Sequence, residues 1–241
     1  MTKVTIITVC YNSSKTIERT LKSVLNQTYS DYEYIIIDGS STDDTLSIIE
    51  DYKPLFGSKL RVISEPDNGI YDAMNKGIRL ASGDLIGIVN SDDYLELDAL
   101  QNIVDAYDGY QYEIIYGMIR TIRDDKEVQV YIKSHENIDE DMIAHPACFI
   151  TKKIYDDFGL YSLKYKYSAD YEFMLRMKRN DQVKFVEIYK IISNFSIDGA
   201  SSSIDSYIDT MRLKYEYGLL DAEKYYLLVF KSKLHKLLSG R

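Results

Sequence analysis

Residues 85–93 read LIGIVNSDD, a short apolar run rich in β-branched residues that ends in an amide, a hydroxyl and two carboxylates. Similar runs occur at 4–9, 34–37 and 60–63, each bounded by turn residues. Runs of this length and composition are typical of strands that are buried on both faces. The sequence therefore predicts four buried strands within its first hundred residues.

The segments between these runs have apolar residues spaced by three and four, which is the period of a helix. Strict alternation of strand and helix favours a parallel sheet with helices on both faces. After Leu100 the alternation loosens and indicates a smaller second lobe on the same sheet. The predicted helices are 16–26, 43–52, 71–81, 152–158 and 170–179, and the later strands are 112–118, 127–132 and 183–188.

Length, charge and cysteine content exclude several classes of protein. The chain has 241 residues, 45% of them apolar, which suits one domain with an appendage. A net charge of −9 provides no field to attract nucleic acid. Cys10 and Cys148 form no disulfide framework, and no apolar stretch reaches the length of a membrane span. We expect a cytoplasmic protein, either free or peripheral on the inner face of the membrane.

Ligands of an open parallel sheet bind outside the carboxyl ends of its strands. The four strand ends here are all polar, and three of them carry carboxylates. An acid-lined crevice repels a bare anion but holds a divalent cation, which can bridge to a diphosphate. Oxygen ligands favour Mn or Mg. No P-loop, dinucleotide-binding glycine motif or zinc spacing is present, so those classes are not supported.

These strand ends give the chain a resemblance to the inverting family 2 glycosyltransferases of the GT-A fold, which act in bacterial surface polysaccharide assembly. The resemblance implies a Rossmann-like, doubly wound, mostly parallel α/β sheet with a smaller acceptor lobe. It assigns 1–204 to the transferase domain, with a nucleotide-binding half (1–100) and an acceptor half (101–204), and 205–241 to a C-terminal amphipathic helical tail. The segments that carry it are 4–12, 25–29, 37–43, 65–77, 90–93, 145–147, 158–159, 168–173 and Arg176.

The resemblance also implies which residues bind the nucleotide sugar. Asp38 would accept from the imide N–H of the base, which favours a UDP-sugar donor, and Asp92 would be the metal ligand. Asn90 replaces the usual first Asp of the family's Asp-x-Asp motif, and Met74 stands where many relatives have Arg. The implied nucleotide-binding residues are Thr8, Val9, Tyr11, Asp38, Asp67, Asn68, Asn75, Ser91 and Asp93.

Inverting transfer needs a carboxylate that takes the proton of the acceptor hydroxyl. Asp170 matches the family's carboxylate at the start of the second-lobe helix, where the helix dipole favours its ionised form. The alternative role for Asp170 is a helix cap. Glu172 is either a second acid of the site or a surface residue, and His145 either faces the acceptor or a phosphate or is structural.

The last eighteen residues carry five basic side chains and no acid. Helical spacing places one apolar stripe there, with Lys224, Lys231 and His235 facing away. Such a helix suits an anionic membrane surface, but the stripe could equally pack on the body or on a second copy in a homodimer. The stripe consists of Tyr226, Leu227, Phe230, Leu234, Leu237 and Leu238.

Together these features predict a metal-dependent hexosyl- or N-acetylhexosaminyltransferase that uses a nucleotide sugar and a glycan or lipid-linked acceptor. Two alternatives stay open. One is a non-catalytic nucleotide-sugar or carbohydrate-binding protein that retains the fold. The other is a nucleotidyltransferase, which should have a basic, glycine-rich loop where this chain has residues 11–14, YNSS. Residues 201–203 are expected to form a loop that closes over the donor.

Overall fold

The computed structural model describes residues 1–197 and 203–239. Its strands are β1 (Val4–Cys10), β2 (Tyr32–Asp38), β3 (Leu60–Ser64), β4 (Leu85–Ile88), β5 (Tyr94–Leu95), β6 (Glu113–Arg123), β7 (Lys126–Tyr131), β8 (Cys148–Thr151) and β9 (Lys184–Ser196). Its helices are α1 (Ile17–Leu25), α2 (Thr45–Phe56), α3 (Ile70–Leu80), α4 (Ala99–Ala106), α5 (Lys152–Phe158), α6 (Ala169–Lys178), α7 (Ile204–Glu216) and α8 (Ala222–Ser239).

One sheet runs through the part of the chain that the structure describes, in the order β3-β2-β1-β4-β8-β6-β9-β5, with β7 paired to β6. Strands β3, β2, β1 and β4 are parallel, as the alternation of strand and helix predicts. β8 lies antiparallel between β4 and β6, whereas β6 and β9 are parallel. The predicted α/β class, with a second lobe that continues the same sheet, is therefore confirmed.

Helices cover both faces of this sheet because alternate residues of each buried strand point to opposite sides. Ile6 and Ile36 belong to the core beneath α1, α2 and α4. Their neighbours Ile7 and Ile35 belong to the core beneath α3, α5 and α6. Complete burial of one such side chain contributes about 1.5–3 kcal/mol to the free energy of folding. The two cores fix the strand ends, and with them the loops that form the site.

Several elements differ from the predicted ones. α4, β5 and β8 are not among the predicted elements. The strands β5 and β8 are two and four residues long and too short for a periodic signal, whereas α4, with eight residues, is longer than the predicted α5. β9 extends to Ser196 instead of Ile188, because its far end pairs with β6 and β5. α2 extends to Phe56, with Pro54 in its last turn.

The C-terminal region consists of two helices with different surroundings. α7 lies against the second lobe, and Leu213 is fully buried there. α8 packs on α7, where Tyr225 stacks on Tyr215 with ring centroids 4.7 Å apart. Tyr225, Leu228 and Val229 are half-buried.

The predicted apolar stripe of α8 is exposed. Side-chain exposure at its centre is 63% for Tyr226, 66% for Phe230 and 81% for Leu237, whereas the side chain of Leu238 lies outside the described part. The body of the protein therefore leaves the stripe uncovered.

None of the helices in residues 1–197 and 203–239 is both long and apolar enough to cross a bilayer. The loop predicted to close over the donor falls outside the described residues, except for Ser203.

Candidate active site

A cleft of about 1180 Å³ opens at the carboxyl ends of β1 and β4 and extends toward the N-terminal end of α6. Val9, Tyr11 and Asp67 line the end nearest the parallel strands. Ser91 and Asp92 line it beyond β4, and the second lobe adds Asp170. The cleft therefore brings together carboxylates that the sequence distributes over more than a hundred residues.

The loop after β1 is fixed by the loop after β2. Asn12 has a positive φ of 50° and accepts from the backbone N–H of Thr42 at 2.8 Å. Its own N–H donates to the hydroxyl of Ser41 at 2.8 Å. The Ser13 hydroxyl lies 2.8 Å from that of Ser91, so the loop also contacts the turn after β4. These bonds form one connected rim along this side of the cleft.

The turn that carries Asp92 is locked by α1 and β9. The backbone carbonyl of Asp92 accepts from Arg19 at 3.0 Å and from the hydroxyl of Ser196 at 2.6 Å. Thr20 donates to the carbonyl of Asp93 at 2.6 Å. Burial raises the pKa of Asp92, and the positive charge of Arg19 opposes this shift. The Asp92 carboxylate is thus left to face the cleft on a rigid backbone.

Asp93 is completely buried and does not line the cleft. Its carboxyl accepts from the backbone N–H of Ser196 at 3.0 Å and from the Asn90 amide at 3.2 Å. Burial and the neighbouring charge of Asp92 raise its pKa. Asp93 therefore holds the turn to β9, while its neighbour Asp92 is the carboxylate that faces the cleft.

Asp38 ends β2 and is also fully buried. One carboxylate oxygen accepts from the backbone N–H of Ser41 at 3.0 Å and from the hydroxyl of Ser64 at 2.6 Å. The other accepts from the hydroxyl of Ser41 and from the thiol of Cys10. The carboxylate predicted to contact the base therefore has its hydrogen bonds inside the protein and shapes the turn after β2.

Two glycines lie beside Asp67 at the cleft. A Cβ at Gly39 would lie 2.6 Å from an Asp67 carboxylate oxygen, so a larger residue there would displace the Asp67 side chain. Asp67 accepts from the N–H of Gly69 at 2.8 Å, and Gly69 precedes α3 with a φ of 114° that side chains rarely adopt. This turn sets the position where α3 begins.

Asp170 lies in the first turn of α6 and lines the cleft from the second lobe. Its Oδ1 accepts from the hydroxyl of Tyr71 at 2.7 Å and from the backbone N–H of Tyr171 at 2.9 Å. Tyr71 stands 99 positions earlier, in α3, and sequence reasoning assigns it no role. Only its place in the NGIYDA stretch at 68–73 could have drawn attention to it.

His145 and Glu172 differ in their access to the cleft. His145 lines the cleft but is nearly buried, and its Nε2 lies 2.7 Å from the hydroxyl of Tyr161. Burial lowers the pKa of His145, which favours the neutral imidazole. Glu172 is 6% exposed and accepts from Tyr217 at 2.6 Å and from Arg176 at 3.2 Å. Glu172 thus joins α6 to the chain after α7.

The cleft contains some of the predicted site residues and not others. Thr8 is buried, with its hydroxyl 2.9 Å from that of Tyr34. Asn75, in α3, is buried and hydrogen-bonded to the backbone of Tyr161. Asn68 is exposed beside the cleft. Those on the cleft are Val9, Tyr11, Asp67, Ser91, Asp92 and Asp170, whereas Thr8, Asp38, Asn68, Asn75 and Asp93 are not among its lining residues.

A divalent cation has oxygen donors available beside Asp92. The side-chain oxygen of Asn90 is buried and makes no hydrogen bond within the described part of the chain. It follows β4 two positions before the Asp92 carboxylate, and both residues line the cleft. Carboxylate and amide oxygens suit Mn or Mg. No group of three His, Cys, Asp or Glu residues in 1–197 and 203–239 could hold an ion alone, so this donor set fits a cation shared with a ligand.

Comparison with known proteins gives a family match for most of the chain. The model of the family described as glycosyl transferase family 2 matches residues 5–197. A PGL/p-HBAD biosynthesis glycosyltransferase of Mycobacterium tuberculosis is 28% identical over 201 residues, which cover 82% of this chain and 78% of that protein. The chondroitin synthase of Escherichia coli is 32% identical over 209 residues, 83% of this chain but only 30% of the synthase.

Solved structures share the fold. S. aureus TarS 1-349 in complex with UDP-GlcNAc superposes with a TM-score of 0.73 at 20% identity, over 97% of this chain and 72% of that one. The Pyrobaculum calidifontis mannosyltransferase in complex with GDP-Man and Mn²⁺ gives a TM-score of 0.65 at 16% identity, over 96% and 69% of the two chains. The GT-A architecture implied by the sequence is therefore confirmed.

Proposed function

Because this chain belongs to glycosyl transferase family 2, we propose that it transfers a sugar from a UDP-sugar to a hydroxyl of a glycan or lipid-linked acceptor, with inversion at the anomeric carbon. Relatives named for PGL/p-HBAD biosynthesis and chondroitin synthesis support a role in glycolipid or polysaccharide assembly. The UDP-GlcNAc bound to the similar TarS fold supports a UDP-sugar donor, either hexosyl or N-acetylhexosaminyl.

The observation that carries this proposal is a single cleft shared by Asp92 and Asp170. Inverting transfer needs the leaving diphosphate on one side of the anomeric carbon and the base on the other. Asp92 and Asn90 would hold Mn or Mg, which when bound neutralises charge on the diphosphate. The residues that would surround the nucleotide are Val9, Tyr11, Asp67 and Ser91. The buried residues that would support this part of the cleft from beneath its surface are Thr8, Asp38, Asn75 and Asp93.

Asp170 is the proposed general base. The acceptor hydroxyl gives its proton to the Asp170 carboxylate as its oxygen forms the new bond to the anomeric carbon. The bond from that carbon to the diphosphate oxygen breaks in the same step, and the nucleoside diphosphate leaves. No covalent intermediate is needed, because one displacement accounts for inversion.

A panel of nucleotide sugars tests this function on the full chain. The thermal midpoint is measured with each donor, with and without Mn, and nucleoside diphosphate release is then followed for the donors that bind. We expect one class of UDP-sugar to raise the midpoint only with the cation. No stabilisation by any nucleotide sugar would contradict a donor site.

The base assignment has its own test. Asp170→Asn should bind the donor as the wild type does and lose about 100-fold or more in turnover, because the amide cannot accept the proton. The matched control is Asp51→Asn, an exposed aspartate of α2. Wild-type turnover in Asp170→Asn would show that another group is the base, whereas a wild type that binds the donor without any turnover would favour a non-catalytic binding protein.

We also propose that α8 lies on an anionic membrane surface. Its apolar stripe is exposed, whereas Leu228 and Val229 are half-buried and lie, by helical spacing, on the side of Tyr225, which stacks on Tyr215 of α7. Helical spacing puts Lys233 beside one edge of the stripe, and Lys231, which belongs to the side that faces away, lies next to the other edge. Ammonium groups that flank an apolar face suit a lipid surface, whereas two copies of this helix would bring like charges together.

A further inference from the structure

We propose that Tyr71 is a positioning residue for Asp170. Its buried hydroxyl binds one carboxylate oxygen of Asp170, which leaves the other carboxylate oxygen free to accept the proton of the acceptor. This inference rests on the proposed function, in which Asp170 is the base. Both hydrogen bonds to the carboxylate end on Oδ1, from Tyr71 at 2.7 Å and from the Tyr171 N–H at 2.9 Å. In residues 1–197 and 203–239, Oδ2 accepts none.

The Tyr71 hydroxyl is held in place by packing. Tyr71 is 7% exposed, and its ring lies 5.7 Å from that of Tyr161. One helical turn further along α3, Asn75 exchanges two hydrogen bonds with the Tyr161 backbone, at 2.9 and 3.0 Å. The donor hydroxyl is therefore fixed relative to the chain that leads into α6, which is the condition for orienting a carboxylate.

Tyr71 acts as a donor and not as an acid. Burial, followed by the negative charge of Asp170, raises its pKa well above the usual value of 10, so the phenol keeps its proton. A hydrogen bond given to a carboxylate stabilises its ionised form, which is the form a base requires. The other titratable groups close to Asp170 or Tyr71 are His145, Cys148, Tyr161 and Asp209.

Tyr71 also links the two ends of the site. It is the second residue of α3, whose start is set by the turn from Asp67 to Gly69 on the donor side. Its hydroxyl meets α6 on the acceptor side. The short helix α3 therefore connects the turn on the proposed donor side to the proposed base.

The test compares Tyr71→Phe with Tyr155→Phe in the full chain. Tyr155 is also buried, and its hydroxyl lies within hydrogen-bond distance, 3.0 Å, of the Tyr161 hydroxyl. It makes no hydrogen bond to Asp170. We expect Tyr71→Phe to keep UDP affinity within two-fold and to lower kcat about ten-fold with little change in donor KM. Tyr155→Phe should change neither kcat nor donor KM.

A second measurement does not depend on turnover. The carbon NMR signal of the Asp170 carboxyl reports its hydrogen bonds, and we expect its chemical shift at pH 7 to differ between the wild type and Tyr71→Phe but not between the wild type and Tyr155→Phe. Wild-type kcat and an unchanged carboxyl signal in Tyr71→Phe, or equal effects in Tyr155→Phe, would overturn the positioning role. Failure of the proposed function is distinct, because it shows as no turnover in the wild type, whereas wild-type turnover in Asp170→Asn would show that Asp170 is not the base.

Discussion

At the scale of single residues, the two neighbouring acids after β4 have different roles. Asp92 faces the cleft, whereas the Asp93 carboxyl accepts hydrogen bonds from Ser196 and Asn90 inside the protein. The reason is that the turn folds the Asp93 side chain inward, where the backbone N–H of Ser196 and the Asn90 amide donate to it, whereas Asn90, Ser91 and Asp92 line the cleft. The motif alone does not reveal which acid remains free.

Asp92→Ala is expected to weaken cation-dependent donor binding about ten-fold or more, because it removes the only carboxylate that the Asn90–Asp93 turn presents to the cleft. The measurement is the Mn-dependent rise of the thermal midpoint with the donor found in the panel. Asp51→Ala is the control. The same rise in Asp92→Ala, or a wild-type rise that survives a chelator, would remove the proposed metal role.

At the scale of elements, α7 anchors the loop that leads into α6. Asp209 accepts from the N–H of Tyr167 at 2.7 Å, and Thr210 lies 2.9 Å from the hydroxyl of Ser168, the residue before α6. Thr210 and Lys214 also line the cleft. The region predicted as a tail thus contains one helix that supports the site and a second, α8, that extends from it.

Glu216 at the end of α7 gives a pH-dependent prediction. Burial raises its pKa, but hydrogen bonds from Lys164, Tyr165 and Arg212 outweigh burial and lower it to about 2. Because the folded pKa is depressed, the stabilisation is present above pH 4.5 and is lost as the pH falls toward 2.

Glu216→Gln should therefore lower the thermal midpoint by about 2–4 °C at pH 7, for a loss of about 1 kcal/mol. The difference from the wild type should shrink as the pH falls below 4.5. Glu223→Gln, at an exposed position in α8, is the matched control. A difference that stays constant from pH 7 to pH 3 would rule out an electrostatic origin.

The exposed face of α8 predicts lipid binding. Vesicles with and without anionic lipid are sedimented with the full chain, and only anionic vesicles should carry it down. Tyr226→Ser combined with Phe230→Ser should reduce the bound fraction several-fold, because it removes apolar area from the stripe. Leu55→Ser, at an apolar side chain of α2 that is 63% exposed, should not. Concentration-dependent dimerisation without vesicle binding would instead favour a second copy.

At the scale of the whole molecule, the two halves share one sheet and several buried connections. Asn75 in α3 exchanges two hydrogen bonds with the Tyr161 backbone, 86 positions away. β8 then lies between the parallel strands of the first half and β6 of the second. The predicted division at residue 100 stays a prediction, since the sheet continues across it.

Asn75→Ala should act on stability more than on donor affinity. It leaves a buried N–H and a buried carbonyl without partners, each of which costs about 1–3 kcal/mol. We expect the thermal midpoint to fall by about 5–10 °C while folded protein keeps its donor affinity. Asn102→Ala on α4 is the control. A large loss of affinity with an unchanged midpoint would show that Asn75 contacts the ligand directly.

The sequence by itself determined the alternation of strand and helix, the parallel first half and the set of polar strand ends, because these depend on local periodicity and on the handedness of crossovers. Only the tertiary structure decided which polar ends stay free. Asp38 and Asn75 find partners 26 and 86 positions away, and Tyr71 reaches Asp170 across 99. Such contacts depend on how distant segments pack, and local pattern carries no record of them.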